Sequence, residues 1–163
     1  MTIRPAVPGD ENVLAVLSGI AHELHLAAHP EFMRATRQYD VAQWFGSLLQ
    51  QPTAAAWLAE DEGVPVGYVL ALFQEQPGNP FRLARRWCEI DQLAVTAERR
   101  RRGVARALVD AVIAEARANG IRDVELNVWA FNRDAEAVFR KLGFQPRASR
   151  LRRQLPGATS ENL

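Results

Sequence analysis

Apolar side chains recur with helical spacing in one part of the N-terminal half and with strand spacing in another. After Asp10, a residue type favoured at helix N-caps, apolar residues follow at i, i+3 and i+4 until the His29-Pro30 pair interrupts them. Short apolar runs predict strands instead. Two of these strands are joined by an acidic turn that contains Gly63, one before the turn and one after it. The elements predicted here are a strand at 2–4, a helix from 10, a helix at 40–50 and a strand hairpin at 54–59 and 66–74.

The stretch between residues 87 and 112 organises the rest of the chain. Residues 88–95 predict a buried strand, and Val104, Leu108 and Val112 then recur every four residues, which is helical spacing. This helix is expected to end at Gly120. The elements predicted after it are a strand at 124–128, a helix at 132–142 and a last strand pair from 144 to 151 or 155.

The succession β-αα-βββ-α-β-α-ββ predicts an α/β fold with a mixed sheet. A length of 163 residues suits one domain, which we place at residues 1–155, with a C-terminal tail at 156–163. With 48% hydrophobic and 24% charged residues, the composition is that of an ordinary globular protein. We therefore expect one hydrophobic core system and no second domain.

Charge and cysteine content exclude several classes of protein. A net charge of +1 gives no general case for a nucleic-acid or membrane partner. The single cysteine, Cys88, cannot form an internal disulfide and fits a reducing compartment. No apolar run of about 18 residues, no signal-peptide pattern and no zinc-ligand spacing is present. We expect a cytoplasmic protein that needs no metal.

Arginines crowd the junction that precedes the predicted helix at 104. Residues 99–102 are all arginine and lie beside the positive end of the helix dipole, which disfavours cations by roughly 0.3–1 kcal/mol each. A bound polyanion reverses this sign, because free N–H groups, the dipole and the guanidinium groups then face one phosphate cluster. Gly103 and Ala105 leave the backbone accessible. The junction therefore predicts a site for a phosphorylated small molecule.

Two ordered motifs relate this junction to a known family. No Gly-Lys-Ser/Thr follows it, and a lone glycine is too few for a dinucleotide fingerprint. Arg100-x-x-Gly103-x-Ala105, after a strand that ends at Val95, resembles the Gln/Arg-x-x-Gly-x-Gly/Ala acetyl-CoA signature of the GNAT superfamily of N-acetyltransferases. A second block at 132–144 resembles that family's Asn-x-x-Ala-x-x-x-Tyr segment and the Leu-Gly-Phe that follows it. The resemblance extends from residue 2 to about 155.

The resemblance implies the fold, the cosubstrate and the residues that hold it. GNAT proteins have a mostly antiparallel sheet flanked by helices and transfer an acetyl group from acetyl-CoA to a primary amine. The backbone of two strand residues would hold the pantetheine arm and the thioester carbonyl, and helix amides with one arginine side chain would hold the pyrophosphate. The residues assigned to acetyl-CoA are Leu93, Val95, Arg100, Arg101, Arg102, Gly103, Val104, Ala105, Arg106, Asn132 and Phe139.

Two carboxylates are candidates for the base that deprotonates the amine. Glu89 lies eleven residues before Arg100, where histone-type members of the family have a glutamate base, and it is the first choice. Strand alternation puts Asp91 on the same face, where paired carboxylates can raise one pKa. Pairing with a nearby arginine is the structural alternative for either acid. A well-placed base contributes about 10²–10⁴ in rate.

The acid that protonates the departing thiolate is where the chain departs from the family. Phe139 stands where the family commonly has tyrosine, so the packing is kept and the proton is lost. The thiolate of coenzyme A can leave without an acid or take a proton from water. A non-catalytic acyl-CoA-binding regulatory module is therefore the alternative function. An acyl-cysteine at Cys88 is disfavoured, because Cys88 and Glu89 face opposite sides of a strand.

The acceptor is the main open point of the sequence. In this family the first two helices wall the acceptor pocket, so His25 and Trp129 are candidate substrate-binding residues, although a solvated helix face is the favoured explanation of the histidines. A small-molecule amine or a peptide amine is expected as the partner. Some relatives pair through their late strands, so the resemblance makes a homodimer a candidate assembly.

Overall fold

Five strands and four α-helices form in residues 1–155, which are the residues that the computed structural model describes. The strands are β1 Thr2–Pro5, β2 Ala54–Asp61, β3 Val64–Gln76, β4 Arg85–Val95 and β5 Val124–Leu126. The helices are α1 Glu11–Ala28, α2 Gln38–Leu48, α3 Val104–Ala118 and α4 Arg133–Lys141, with a short 3₁₀ turn at Ala97–Arg99. The predicted α/β order is confirmed as far as α4.

The strands form one mixed sheet in the order β1-β2-β3-β4-β5. The first four are antiparallel, whereas β5 runs parallel to β4, because α3 crosses over between them. Glu62 and Gly63 join β2 to β3 with φ values of 52° and 79°, so the acidic hairpin turn is a two-residue turn with both residues left-handed. The sheet is therefore mostly antiparallel, as the fold prediction requires.

A bulge in β4 changes which face its side chains occupy. Leu70 of β3 lies opposite Gln92, and the next β3 residue, Ala71, lies opposite Ile90, so Asp91 is an extra residue in β4. Ile90 belongs to the core on the α3 side, whereas Ala94 belongs to the core on the α1 side, although both are even-numbered. The bulge therefore turns Gln92 to the face that Asp91 already occupies, so two successive side chains point toward α1 and α2.

Each face of the sheet carries its own core. On one face, Val104, Leu108 and Val112 of α3 pack on strand residues, which is the helical spacing seen in the sequence. On the other face, Leu14 of α1 and Phe45 of α2 are completely buried. The sheet is thus covered on both faces, and the strand end that leads to α3 lies between the two layers.

The predicted last strand pair is wrong. Residues 144–155 contain no strand, and β5 pairs only with β4 within the described part of the chain. The segment carries Pro146 and several arginines, and its Leu151 is 93% exposed, so it has no apolar face to bury against the sheet. The predicted tail at 156–163 lies outside the described residues.

Two helix starts also differ from the pattern. The Asp10 side chain makes no cap bond; its carboxylate accepts from Arg4 and from the Val7 amide, so an ion pair replaces the cap. Helix α2 begins at Gln38, two residues before the predicted start. Among residues 1–155, no helix has the length and apolar composition needed to cross a membrane.

Candidate active site

A cleft of about 1090 Å³ lies between α1 and α2 on one side and β4 and residues 126–139 on the other. It opens because β5 pairs with β4 only at Cys88, Glu89 and Ile90, so the two strands separate beyond the bulge. The predicted site residues that line the cleft are His25, Asp91, Leu93, Trp129, Asn132 and Phe139. The structure therefore brings together one candidate base, the strand end, the α4 motif and both candidate acceptor residues.

Asp91 is the candidate base that lies inside the cleft. Its side chain is open to the cleft, yet the surrounding walls remove part of its hydration. This desolvation raises the pKa of Asp91, while the neighbouring Gln92 side chain acts in the opposite direction. A carboxylate with a raised pKa is a better proton acceptor at neutral pH than an ordinary one.

Glu89 lies on the same face of the sheet but outside the cleft lining. It pairs with Leu72, whose side chain packs on the α1 side, so both carboxylates share this face as the alternation predicts. The Asn127 amide donates a hydrogen bond of 2.9 Å to Glu89 Oε1. Glu89 thereby connects β4 to the segment that follows β5, just where the two strands begin to separate.

Tyr68 and Gln92 form a polar pair at the base of the cleft that the motif comparison did not identify. The Tyr68 hydroxyl donates to Gln92 Oε1 over 2.6 Å, and the tyrosine is completely buried. Burial raises the pKa of Tyr68, and the negative charge of Asp91 adds to this, so the hydroxyl stays protonated. The alternation of β3 gives the missing signal, because it places Tyr68 on the same face as Leu70.

The loop between β4 and α3 has the shape of an anion cradle. Gly103 precedes α3 with φ 82°, and a side chain there would meet no atom within 4 Å, so the space above it is open. Since the first helical hydrogen bond runs from the Ala107 amide to the Gly103 carbonyl, the amides of residues 104–106 have no partner inside the helix. Arg101 is also left-handed, with φ 60°, which is uncommon for a residue with a side chain.

The four arginines of this loop divide into two pairs. Arg99 forms a salt bridge of 2.8 Å with Asp61, and the Arg100 Nε donates to the Val95 carbonyl over 3.2 Å. These two contacts fix the loop to the end of the sheet. Arg101 and Arg102 are exposed beside the open amides. The cradle therefore fits a polyphosphate group, with two arginines that hold the loop and two that face outward.

The α4 motif forms the wall opposite α1. The Asn132 side chain caps α4 by accepting from the Ala135 amide over 3.2 Å, and it also lines the cleft. Phe139 lines the cleft as well and packs edge-to-face on Phe144 with ring centroids 5.7 Å apart. Phe139 thus fills the place of the family tyrosine with an apolar ring and no hydroxyl.

Histidines from α1 meet aromatic residues from the segment before α4. His25 lies 6.1 Å from Trp129 and 5.5 Å from Phe131 between ring centroids, and both His25 and Trp129 line the cleft. His22 also lines it, with Nε2 placed 2.8 Å from the Arg34 carbonyl. The histidine face of α1 therefore forms part of the cleft wall.

Cys88 is placed as the strand alternation predicts. Its side chain is completely buried in the core on the α3 side. Burial, and then the charges of Glu115 and Glu89, raise the pKa of Cys88 to about 11. Among residues 1–155, no group of three His, Cys, Asp or Glu side chains lies close enough together to hold a metal ion.

Comparison with known proteins shows similarity to one family. The sequence model described as the acetyltransferase (GNAT) family matches residues 20–144. The chain is 31% identical over 115 residues to N-acetyltransferase 8 of Homo sapiens, a match that covers 71% of this chain and 49% of that protein. It is 31% identical over 122 residues to N-acetyltransferase 8F1 of Mus musculus, covering 74% of this chain and 53% of that protein. The chain thus spans about half the length of these curated relatives.

Solved structures share the fold at lower identity. A tetramutant of the BH1408 protein from Bacillus halodurans superposes with a TM-score of 0.89 at 24% identity, covering 95% of this chain and 100% of that one. The aminoglycoside N-acetyltransferase AAC(6')-Iy, solved in complex with CoA, superposes with a TM-score of 0.76 at 19% identity, covering 95% of this chain and 94% of that one. At these identities the likeness shows the fold alone.

Proposed function

Since the chain belongs to the acetyltransferase (GNAT) family, we propose that it transfers the acetyl group of acetyl-CoA directly to a primary amine. The observation that carries the proposal is the arrangement of β4. Asp91, the extra residue of its bulge, opens into the cleft, and the end of the strand leads into the anion cradle at the start of α3. A proton acceptor and a phosphate site thus lie on one strand, as transfer from a long phosphorylated donor requires.

The residues of the chain fit acetyl-CoA as cosubstrate. The amides of residues 104–106 and the outward-facing Arg101 and Arg102 would hold the pyrophosphate, because both donate hydrogen bonds to phosphate oxygens. Leu93 and Asn132 line the cleft where the pantetheine arm would lie. The thioester of the bound molecule supplies the activated acetyl group. Val95 and Arg100, which bond to each other, would keep the end of β4 in place.

Asp91 is the residue that we assign as the base. It lines the cleft, its pKa is raised, and it therefore can accept the proton of an ammonium group before the nitrogen attacks. Glu89, which the sequence favours, is engaged by Asn127 and lies outside the lining. We assign Glu89 the role of holding the segment after β5 at the point where β4 and β5 separate.

The transfer takes place in one step between donor and acceptor. Cys88 faces the core on the other side of the sheet, so it offers no thiolate for an acyl-enzyme. The amine nitrogen forms a bond to the acetyl carbon as the carbon–sulfur bond of the thioester breaks, and the nitrogen then loses its second proton to water. The departing thiolate has no tyrosine at position 139 and takes its proton from water. Tyr68 keeps its proton in the hydrogen bond to Gln92.

Phe139 supports a second candidate, an acyl-CoA-binding regulatory module without turnover. It lines the cleft with a ring that has no proton to give. The two functions differ in one observable, because both require acetyl-CoA binding and only the first releases coenzyme A in the presence of an amine.

Calorimetric titration with acetyl-CoA, followed by a thiol-release assay over a panel of primary amines, tests the proposal. We expect micromolar binding that the Arg101→Ala/Arg102→Ala variant weakens at least tenfold. Arg117→Ala, at the other end of α3, is the matched control and should bind as the wild type does. Binding with no turnover on any amine would leave the regulatory module, and no binding would overturn both functions.

A further inference from the structure

The end of α1 is joined to the segment before α4 by stacked rings. His29, just after α1, lies 4.8 Å from Trp129 with the two rings inclined by 34°, and 5.4 Å from Phe131. Phe32 adds a third ring, 5.9 Å from Trp129. These contacts join the two walls of the cleft directly at this end.

The C-terminal segment adds a charged contact to the outside of these rings. The Arg152 guanidinium lies 4.5 Å above the Phe32 ring and donates to Glu31 Oε1 over 3.1 Å. The same carboxylate oxygen lies 3.4 Å from His29 Nδ1. We call His29, Glu31, Phe32, Trp129 and Arg152 the clasp. It connects three segments that are far apart in sequence.

The clasp holds a residue of the cleft wall, Trp129, from the surface of the protein. Trp129 lines the cleft, and its contacts with His29 and Phe32 limit how far it can turn away from α1. Phe32 is 51% exposed even with Arg152 above it, so the clasp is a surface contact that can open without unfolding the core. Arg147, on the same segment, bonds to Glu125 of β5 over 3.3 Å and holds the other end of the segment to the sheet.

We propose that the clasp fixes Trp129 and so restricts the acceptor to small primary amines, with His29 and Arg152 as positioning residues. This inference rests on the proposed function. An acceptor whose body extends beyond the reacting nitrogen by an aromatic ring would meet the fixed Trp129 ring, whereas a short alkylamine would not. Releasing the clasp should therefore admit bulkier amines and leave the phosphate cradle, which contains none of the clasp residues, unchanged.

The test compares the wild type with a His29→Ala/Arg152→Ala variant on ethylamine, benzylamine and tryptamine, followed by thiol release. We expect the wild type to have its highest kcat/KM on ethylamine, and the ratio of tryptamine to ethylamine to rise at least tenfold in the variant. The dissociation constant of acetyl-CoA should stay within twofold. Arg150→Ala, an exposed arginine of the same segment, is the matched control.

Two further measurements separate a positioning role from a general loss of structure. Arg152→Lys keeps the charge but not the planar stacking group, so it should restore only part of the selectivity. Hydrogen exchange of the amides at 127–133 should be at least tenfold faster in the double variant and unchanged in the control. The double variant substitutes side chains on the surface, and a single Arg152→Ala variant replaces it if it fails to fold.

The outcomes distinguish the clasp from the function on which it rests. An unchanged tryptamine-to-ethylamine ratio, unchanged exchange at 127–133, or a wild type that prefers tryptamine overturns the clasp. A wild type that binds acetyl-CoA and acetylates none of the three amines also overturns it, because small amines should be accepted. A wild type that does not bind acetyl-CoA overturns the proposed function itself, and the clasp falls with it.

Discussion

Replacing Asp91 with asparagine separates the proposed proton transfer from folding. The substitution keeps the size of the side chain and removes both its charge and its ability to accept a proton. Because Asp91 is the extra residue of the β4 bulge and opens into the cleft, asparagine meets no new contact there. The variant should therefore fold as the wild type does and differ in chemistry alone.

The expected loss of activity follows from the role of a base. A well-placed general base contributes about 10²–10⁴ in rate, which corresponds to about 2.7–5.4 kcal/mol on the barrier. We expect kcat/KM for the amine to fall by this factor and the dissociation constant of acetyl-CoA to change less than twofold. The residues assigned to the pyrophosphate lie in the loop after β4, beyond the position that is changed.

The free energy of unfolding of the same variant should not fall along with its activity. Desolvation raises the pKa of Asp91 in the folded protein above its value in the unfolded chain. At pH values between these two pKa values, the native state therefore binds more protons than the unfolded state. The free energy of unfolding therefore falls as pH rises through that window, and the cost remains at neutral pH. Asparagine has no charge to desolvate, so the variant should be at least as stable as the wild type at pH 7. The difference should vanish below the unfolded pKa.

The assay measures kcat/KM against pH by thiol release and the free energy of unfolding by urea titration at two pH values. Asp110→Asn on α3 is the matched control and should change neither quantity. Glu89→Gln should reduce kcat/KM less than Asp91→Asn does, since Glu89 only holds Asn127. Full turnover by Asp91→Asn, or a larger loss in Glu89→Gln, would refute the assignment of the base.

Three other substitutions test the fold and the cradle. Asp10→Asn should lower the free energy of unfolding by about 1–3 kcal/mol at pH 7, because the carboxylate accepts two bonds from Arg4, at 2.7 and 3.0 Å. These bonds lower the pKa of Asp10 in the folded protein, so the loss of stability should shrink as pH falls through that pKa. The control Asp40→Asn removes one partner of the exposed Arg37–Asp40 ion pair and should cost less than about 1 kcal/mol. Gly67→Ala would place a Cβ 2.9 Å from a β4 carbonyl oxygen, so it should lower the free energy of unfolding in urea by about 1–3 kcal/mol. An unchanged urea midpoint would contradict the close approach of β3 to β4. Gly103→Asp should abolish acetyl-CoA binding in calorimetry without unfolding the protein, because it puts a negative charge into the open cradle at a left-handed position (φ 82°) that aspartate can adopt. Retained binding would place the phosphate elsewhere.

The elements that surround the cradle could be predicted because each has a local signal. The spacing of Val104, Leu108 and Val112 sets the buried face of α3, and those residues are buried. Gly103 marks the left-handed position that precedes the helix, where a side chain would be strained. Such signals depend on the neighbours of a residue along the chain, so the sequence is sufficient to find them.

The bulge could not be predicted, because it changes no residue type. A regular strand and a bulged one have the same apolar alternation up to Ile90, and only the partner strand decides where the extra residue falls. The consequence is large for the site. Without the bulge Gln92 would face α3 and not Tyr68, and the buried tyrosine would have no partner for its hydroxyl.

The prediction of a last strand pair was wrong for a related reason. The sequence around Phe144 resembles the start of a strand, and Phe144 does pack on Phe139 and join the core. Beyond it, strand formation depends on an apolar face, and the arginines and Leu151 of this segment do not provide one. Contacts of Arg152 with the loop after α1 hold the segment instead, and no pattern along the chain signals a contact between positions 121 residues apart.

The run of four arginines shows how the fold assigns roles that the sequence leaves equal. All four are unfavourable beside the N-terminus of α3 unless an anion is near. Arg99 finds one inside the protein, in Asp61, and Arg100 bonds to the Val95 carbonyl, so these two already have partners before any ligand binds. Arg101 and Arg102 face outward at the same helix end. Acetyl-CoA binding should therefore weaken with salt in the wild type, and this dependence should be reduced in Arg101→Ala/Arg102→Ala and kept in Arg99→Ala, because only the outward pair would meet the phosphates.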